Sequence, residues 1–224
     1  MTQDDNTREK LKLAAMRLFS LYGVSAVSVR DIMKEAGTRN SASLHYYFGT
    51  KDELIDELVV DSARRSDTAR HAKLDRLEAM GLPISVEHVV RVIVEVETTG
   101  GEYSDQADLP IGFGHMRFVS VMQLSHREQF LNAIGDRWNG SYLRCLDLIR
   151  RNLNGIRKDI LDQRLIYMFI FINSTLASRE AAFVSDQSGG PLWGHPLALK
   201  NLIGVITAGL EAEVDPILKQ VSST

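Results

Sequence analysis

A run of polar and aromatic side chains near the N-terminus has the chemistry of nucleic-acid recognition. Arginine and asparagine can hydrogen bond to guanine and adenine edges, lysine and hydroxyl groups bind phosphates, and aromatic edges pack on thymine methyls. The run comprises Arg39, Asn40, Ser41, Ser43, His45, Tyr46, Tyr47 and Lys51. Arg39 and Asn40 can reach a base edge or only a phosphate, so the residue types predict DNA contact without assigning each contact.

Three short helices and a long one are predicted to hold these side chains. The first runs from an N-cap at Thr7 to Tyr22, where Gly23 ends it. The second begins at Ser28 with a capping-box pattern and ends at Gly37, and the third spans 44–48. The fourth begins at Lys51, after a second capping box at Thr50.

The predicted third helix is too short to be stable alone, so it must dock on its neighbours. Leu44 and Phe48 can pack on the apolar stripe of the first helix, which leaves Ser41, Ser43 and the two residues His45 and Tyr46 pointing outward. Two helices joined by a tight turn, with the second exposing polar side chains, predict a helix-turn-helix that enters the major groove.

These residues resemble the tetracycline-repressor (TetR) family of regulators. The resemblance rests on Leu18-Phe19 and Tyr22-Gly23, on Ser28-Val-Arg-Asp-Ile-Met-Lys-Glu-Ala-Gly37, on Leu44-His-Tyr-Tyr-Phe48, and on Lys51-Asp-Glu-Leu54. About 45 residues satisfy several fixed spacings at once. Two departures fall in the DNA-reading element: Gly37 to Phe48 spans eleven positions where ten is commonest, and His45 stands where tyrosine is usual.

The resemblance implies a role for each polar side chain. His45 and Tyr46 match the base-contacting pair of the family, Ser28 and Tyr47 its phosphate contacts, and Lys51 a phosphate grip at the start of the fourth helix. Two alternatives stay open, because Tyr47 can be a core residue and Ser28 only a cap. A metal role for His45 is disfavoured, since no histidine follows at i+4 and no cysteine lies nearby.

Composition predicts an all-α protein with DNA contact at one end. Of 224 residues, 44% are apolar, which is enough for a core, and apolar residues recur at three- and four-residue spacing. The net charge is −3, but residues 1–51 carry +3 and the remainder −6. We expect about nine helices in two domains, a DNA-binding domain at 1–53 and a ligand-binding and dimerisation domain at 54–224.

The sequence also predicts where the protein works. Cys145, the single cysteine, lies in an apolar helical stretch and is expected to be a buried inert thiol, with a redox sensor as the lesser alternative. A disulfide within one chain is impossible, the N-terminus is polar and acidic, and the longest apolar run, 165–172, is too short to cross a bilayer. We therefore expect a cytoplasmic protein with no membrane partner.

The C-terminal part is predicted to dimerise. The resemblance implies that the last two helices form a four-helix bundle across a two-fold axis, although such apolar stripes are often plain core. The charged stretch 64–80 reads as a solvated connecting helix, and Ser85 and Ser125 as caps. The predicted interface residues are Met168, Ile172, Leu176, Leu202, Ile206 and Leu210.

A sensing pocket is predicted among the middle helices, because methionine and aromatic side chains adapt to varied apolar ligands. Each candidate can also be ordinary core, and His115 hints at a polar or anionic ligand. The candidates are Phe113, His115, Met116, Phe118, Met122, Phe130, Trp138, Tyr142, Tyr167, Phe171 and Asn173. No cofactor and no metal are expected.

The sequence thus favours a ligand-responsive repressor that binds a palindromic operator as a homodimer and is released by an unknown small-molecule effector. An enzyme is disfavoured, since no nucleophile elbow, Cys/His pair or P-loop occurs, and Gly112-x-Gly114 lacks the rest of a dinucleotide fingerprint. The remaining alternative is a DNA-binding regulator whose C-terminal domain binds a partner protein instead of a metabolite.

Overall fold

A computed structural model describes residues 3–38, 42–99, 114–135, 137–186 and 188–220. Every regular element in these ranges is a helix, which confirms the predicted all-α class. Four predicted site residues, Arg39, Asn40, Ser41 and Phe113, lie outside the described residues. No described helix is both long and apolar enough to cross a membrane.

The N-terminal helices follow the prediction closely. They are α1 (Gln3–Tyr22), α2 (Val29–Glu35), α3 (Ser43–Phe48) and α4 (Lys51–Ala79). Both predicted capping boxes are present: Ser28 exchanges hydrogen bonds with Asp31 at the start of α2, and Thr50 does so with Glu53 at the start of α4. Helix α1 begins at Gln3, so the predicted N-cap at Thr7 was wrong.

Eight further helices form the described portion of the C-terminal part. They are α5 (Val86–Thr99), α6 (His115–Ser125), α7 (Arg127–Ile134), α8 (Gly140–Asn152), α9 (Lys158–Ser185), α10 (Gly190–Trp193), α11 (Ala198–Glu211) and α12 (Pro216–Gln220). Gly135, with a φ of 53°, ends α7, and α8 begins at Gly140. Ser125 is the last residue of α6 and caps nothing, since α7 begins after His126.

Buried apolar side chains form two cores that share helices. The N-terminal core joins α1–α3 with the first turns of α4, through Leu54, Ile55, Leu58 and Val59. It therefore continues past the predicted domain boundary at residue 53. The C-terminal core is built from α4, α5, α8, α9 and α11, with Met116 from α6.

Helix α6 contributes to both cores. Phe118 and Met122 are fully buried in the N-terminal core, where the Phe118 ring stacks on Phe19 of α1 with centroids 6.1 Å apart. Met116, on another face of the helix, packs in the C-terminal core. A shift of α6 must therefore disturb both cores.

Two carboxylates from the long helices hold the starts of α6 and α8. Glu180 of α9 accepts hydrogen bonds from the backbone N–H groups of Met116 and Arg117, each at 3.0 Å. Asp67 of α4 accepts one from the N–H of Ser141 at 2.8 Å. The residues that precede these helices make no side-chain cap of their own, so the carboxylates satisfy donors that would otherwise be unpaired and complement the helix dipoles.

The charged stretch 64–80 is not the solvated connector that the sequence predicted. Asp67, Ala69, Arg70 and Leu74 are all buried. Asp67 and Arg70 are buried because each has partners on other helices, which a single sequence does not reveal.

Gly114 offers a test of the contact between α6 and the N-terminal core. Its φ is 90°, and a Cβ there would overlap the Ser20 side chain. Gly81 also has a positive φ, 66°, but a Cβ there meets open space. We expect Gly114→Ala to lower the free energy of unfolding by about 1–3 kcal/mol more than Gly81→Ala, because overlap adds to backbone strain. Urea unfolding of both variants measures this, and equal losses would contradict the described packing.

Candidate DNA-binding surface and ligand cavity

Helix α3 presents two side chains to solvent and anchors itself with two others. Leu44 and Phe48 are buried in the N-terminal core, as the sequence predicted. Tyr46 is 75% exposed and His45 is exposed, so both face outward. Ser43 and Tyr47 are half-buried, and the Tyr47 ring meets Tyr46 edge-on with centroids 4.9 Å apart. Tyr47 also packs against the N-terminal core, so it supports Tyr46.

The His45 ring is oriented by the end of its own helix. Its Nδ1 lies 2.6 Å from the carbonyl oxygen of Gly49. A carbonyl only accepts, so Nδ1 carries the hydrogen, and Nε2 of the neutral ring is left as an acceptor. An acceptor on an exposed helix face can receive a hydrogen bond from the amino group of adenine or cytosine.

Ser28 and Lys51, two of the three predicted phosphate contacts, both make hydrogen bonds within the fold. The Ser28 hydroxyl donates to the Asp31 carboxylate at 2.6 Å and accepts from the Asp31 N–H. The hydrogen bonds from Ser28 lower the pKa of Asp31. The Lys51 ammonium donates to the Val24 carbonyl at 2.7 Å and lies over the Phe19 ring. Lys51 thus joins the start of α4 to the loop after α1.

Sequence reasoning overlooked two exposed cations on the preceding helix. Arg30 and Lys34 lie on α2, and both are exposed. In a helix-turn-helix the first helix crosses the DNA backbone, where cations bind phosphates. Their exposure distinguishes them from Lys12, which is buried between Glu57 and Asp61.

A cavity of about 270 Å³ lies between α4 and the middle helices. Its walls are mostly apolar, and α4 contributes three of its polar side chains, Ser62, Ser66 and Arg70. It is lined by Val59, Ser62, Ala63, Ser66, Arg70, Ile93, Glu97, His115, Met116, Val119, Gln123, Phe130, Leu131, Ile134, Gly135, Trp138, Asn139, Tyr142, Phe169, Ile172 and Asn173.

The cavity contains about half of the predicted pocket residues. His115, Met116, Phe130, Trp138, Tyr142 and Asn173 line it. Phe118 and Met122 instead fill the N-terminal core, and Tyr167 and Phe171 lie on the outside of α9, 63% and 44% exposed. Ser62, Arg70 and Glu97 were not predicted to line the cavity, and Arg70 lies in the charged stretch 64–80, which reads as solvent-facing.

An ion pair between Arg70 and Glu97 lies at the polar end of the cavity. Arg70 donates to Glu97 at 2.7 Å and to the Ser141 hydroxyl at 2.9 Å. Burial alone would raise the pKa of Glu97, but its hydrogen bond with His115 and the charge of Arg70 outweigh burial and lower the pKa to about 2. Glu97 is therefore ionised, and its charge is balanced by Arg70.

His115 continues this hydrogen-bond network. Its Nε2 lies 3.3 Å from Glu97, and Nδ1 lies 3.3 Å from an Arg65 nitrogen. Arginine only donates and carboxylate only accepts, so a neutral ring with hydrogen on Nε2 satisfies both contacts. Cys145 is buried nearby in the C-terminal core, where burial raises its pKa to about 11 and keeps the thiol protonated.

The apolar residues that α9 and α11 expose differ from the predicted interface set. Met168, Ile172, Leu176, Leu202, Ile206 and Leu210 all lie in the C-terminal core of one subunit, each at most 6% exposed, and Ile172 also lines the cavity. A second apolar stripe faces solvent. This α9/α11 outer face comprises Ile166, Tyr167, Ile170, Phe171, Gly204, Val205 and Ala208.

Helix α3 is the exposed recognition helix of a helix-turn-helix, and this unit is joined to an all-helical part that contains a cavity. This combination is typical of a DNA-binding regulator. Residues 13–58 match the family described as bacterial regulatory proteins, tetR family. The chain is 26% identical over 218 residues to the HTH-type transcriptional repressor KstR2 of Mycobacterium tuberculosis, covering 92% of each chain. It is 37% identical over 59 residues to an uncharacterized HTH-type transcriptional regulator, YxaF, of Bacillus subtilis, covering 26% of this chain and 31% of that protein.

The N-terminal part of the chain accordingly carries the DNA-binding domain of a tetR-family regulator, which confirms the resemblance seen in the sequence. The match over 13–58 covers α2, α3 and the start of α4, where the capping boxes and the buried anchors Leu44 and Phe48 lie.

Tyr46 allows a test of the reading surface, because its exposure makes substitution harmless to the fold. We expect Tyr46→Ala to weaken binding to the specific DNA site by about 1–3 kcal/mol and to leave binding to random DNA nearly unchanged. Lys34→Ala should weaken both alike and reduce the salt slope by about one. Fluorescence anisotropy over a range of salt concentrations measures both effects, and equal loss of specificity in the two variants would contradict the assignment.

Proposed function

We propose that the protein is a ligand-responsive repressor that binds a palindromic operator as a homodimer and is released by a small molecule held in the cavity. The cavity is the observation that most strongly supports this proposal. It is apolar, lies between the two cores, and is lined by residues of α4 and α6 that also belong to the DNA-binding part. KstR2, a repressor by name, is similar along nearly the whole chain, which supports repression over activation.

The α9/α11 outer face supports the dimer. Ile166 and Ile170 are more than half exposed, as is Val205. Gly204 and Ala208 are exposed beside Val205, and small residues let helices approach closely. Exposed apolar stripes on two helices that pack together are unusual for a monomer. A second copy covers it most simply, because a two-fold pairing of the face also places two reading helices for two operator half-sites.

Helices α4 and α6 provide a short path from ligand to DNA. Val59 lines the cavity and belongs to the N-terminal core at the same time. On α6, Met116 and Val119 face the cavity while Phe118 and Met122 face the N-terminal core. A ligand that prefers one position of α6 therefore biases the placement of α1–α3. The shift in operator affinity is limited to the ligand's differential affinity for the two positions.

The α9/α11 outer face predicts that a substitution there disrupts the dimer without disrupting the fold of the subunit. We expect Ile170→Glu to give a folded monomer with much weaker operator binding, since the charge disrupts an apolar contact between subunits. Ile172→Glu, two residues along but buried, should instead lose the fold, because it places an unpaired carboxylate in the core. Sedimentation and circular dichroism distinguish the two variants.

Leu124→Glu is the matched control, since Leu124 is 82% exposed on α6 and lies off the outer face. It should remain a dimer and bind operator normally. An intact dimer for Ile170→Glu would place the interface elsewhere.

Thermodynamic linkage predicts reciprocal weakening between ligand and operator. A compound found by thermal shift, which stabilises the folded state by mass action, should lower operator affinity by about 5–150-fold. The operator in these measurements is a palindrome found in the DNA beside the coding gene. Operator DNA must then weaken ligand binding by the same factor, which calorimetric titration with and without DNA measures. Unchanged ligand affinity on saturating operator would leave a DNA-binding regulator without a sensor.

A further inference from the structure

Unpaired hydrogen-bond donors are concentrated in the ligand cavity. Among the described residues, five buried side-chain polar atoms have no hydrogen-bond partner within the chain. Three of them belong to residues that line the cavity: Ser62 Oγ, Arg70 Nε and Trp138 Nε1. Ser62 and Arg70 are more than nine-tenths buried. Buried polar groups are normally hydrogen bonded. Three unpaired groups along one cavity therefore indicate a hydrogen-bond partner from outside the chain.

The chemistry of these atoms selects the partner. Arginine Nε–H and indole Nε1–H can only donate, and the Ser62 hydroxyl can donate as well. The nearby Tyr142 hydroxyl also keeps its proton, because burial raises the pKa of Tyr142 well above its usual value. The three unpaired atoms that line the cavity can therefore all act as donors, and none of them has an acceptor within the described chain.

The charges in the cavity are already balanced. Arg70 pairs with Glu97, and Glu97 also receives hydrogen bonds from the Ser66 hydroxyl and from His115. A ligand carboxylate would lie beside the ionised Glu97, whereas a ligand ammonium would find that carboxylate occupied. The rest of the wall is apolar, with Ile93, Phe130 and Phe169 among its residues.

We propose, on the basis of the sensor function above, that the effector is an uncharged and mainly apolar molecule that carries an acceptor oxygen, such as a ketone or ester carbonyl. The oxygen accepts from the donor set Ser62, Arg70 and Trp138, and the hydrocarbon body fills the apolar end of the cavity. This assignment replaces the polar or anionic ligand that His115 suggested in the sequence, because His115 is engaged by Arg65 and Glu97.

Four rigid probes of similar shape test the assignment. They are 2-adamantanone, 2-methyleneadamantane, adamantane-1-carboxylate and 1-adamantylamine, which present a carbonyl, no acceptor, an anion and a cation. In the full chain with Trp193→Phe, Trp138 is the single tryptophan, so its fluorescence reports occupancy of the cavity. We expect 2-adamantanone to bind about five- to tenfold more tightly than the methylene analogue, as one neutral hydrogen bond allows, and the charged probes to bind more weakly still.

Ser62→Ala and Ser66→Ala form a matched pair of variants. Ser62 has an unmet hydroxyl, whereas the Ser66 hydroxyl already donates to Glu97 at 3.1 Å. Ser62→Ala should reduce the preference for the ketone over the methylene analogue severalfold, and Ser66→Ala should leave that preference unchanged. Each variant is first shown to bind operator normally.

The outcomes separate this inference from the proposed function. Equal binding of ketone and methylene analogue, tighter binding of either charged probe, or no binding by any probe overturns the acceptor assignment. If the carboxylate binds best and also weakens operator binding, the sensor survives and the ligand class is wrong. If the ketone binds best and operator affinity does not change, the ligand class stands and the sensor is wrong.

Discussion

Helix α6 lies between the two cores and contributes buried side chains to both. Its start is held by the Glu180 carboxylate of α9, and one of its faces is packed by Phe19 of α1. Without the carboxylate, two backbone donors at a buried helix start would be unmet, which is costly in a dry environment. The same helix forms part of the cavity wall, so the position that Glu180 maintains is also the position a ligand would have to favour or change.

The Arg70–Glu97 pair gives the cavity its polar end, and it explains why α4 is charged where it is buried. A buried ion pair adds little net stability, because desolvation opposes the Coulomb attraction. The ion pair instead fixes the position of Arg70 between Glu97, Ser141 and the Tyr142 ring, and it leaves the Nε–H of Arg70 unpaired.

The sequence predicted the DNA-binding part well because the signals there are local. Capping boxes at Ser28 and Thr50, glycines at turns, and the anchors Leu44 and Phe48 depend on neighbours within a few residues. Long-range pairing was not predictable in the same way. Helix α9 carries apolar residues on most of its circumference, so periodicity could not tell the stripe that faces its own core from the stripe that faces solvent. Arg70 reads as exposed until Glu97, 27 positions away, is placed beside it.

Helix α4 runs unbroken from Lys51 to Ala79, and its continuity has a mechanical consequence. At 1.5 Å per residue, Arg70 at the cavity lies about 28 Å along the axis from Lys51 at the DNA-binding end. A rigid rod of that length acts as a lever, so a tilt of about 5° at the cavity would displace the far end by about 2.5 Å. Hydrogen bonds to bases fail over less than that distance. Under the proposed function, a ligand would need only to reorient a few side chains around Arg70 for α3 to lose its register in the groove.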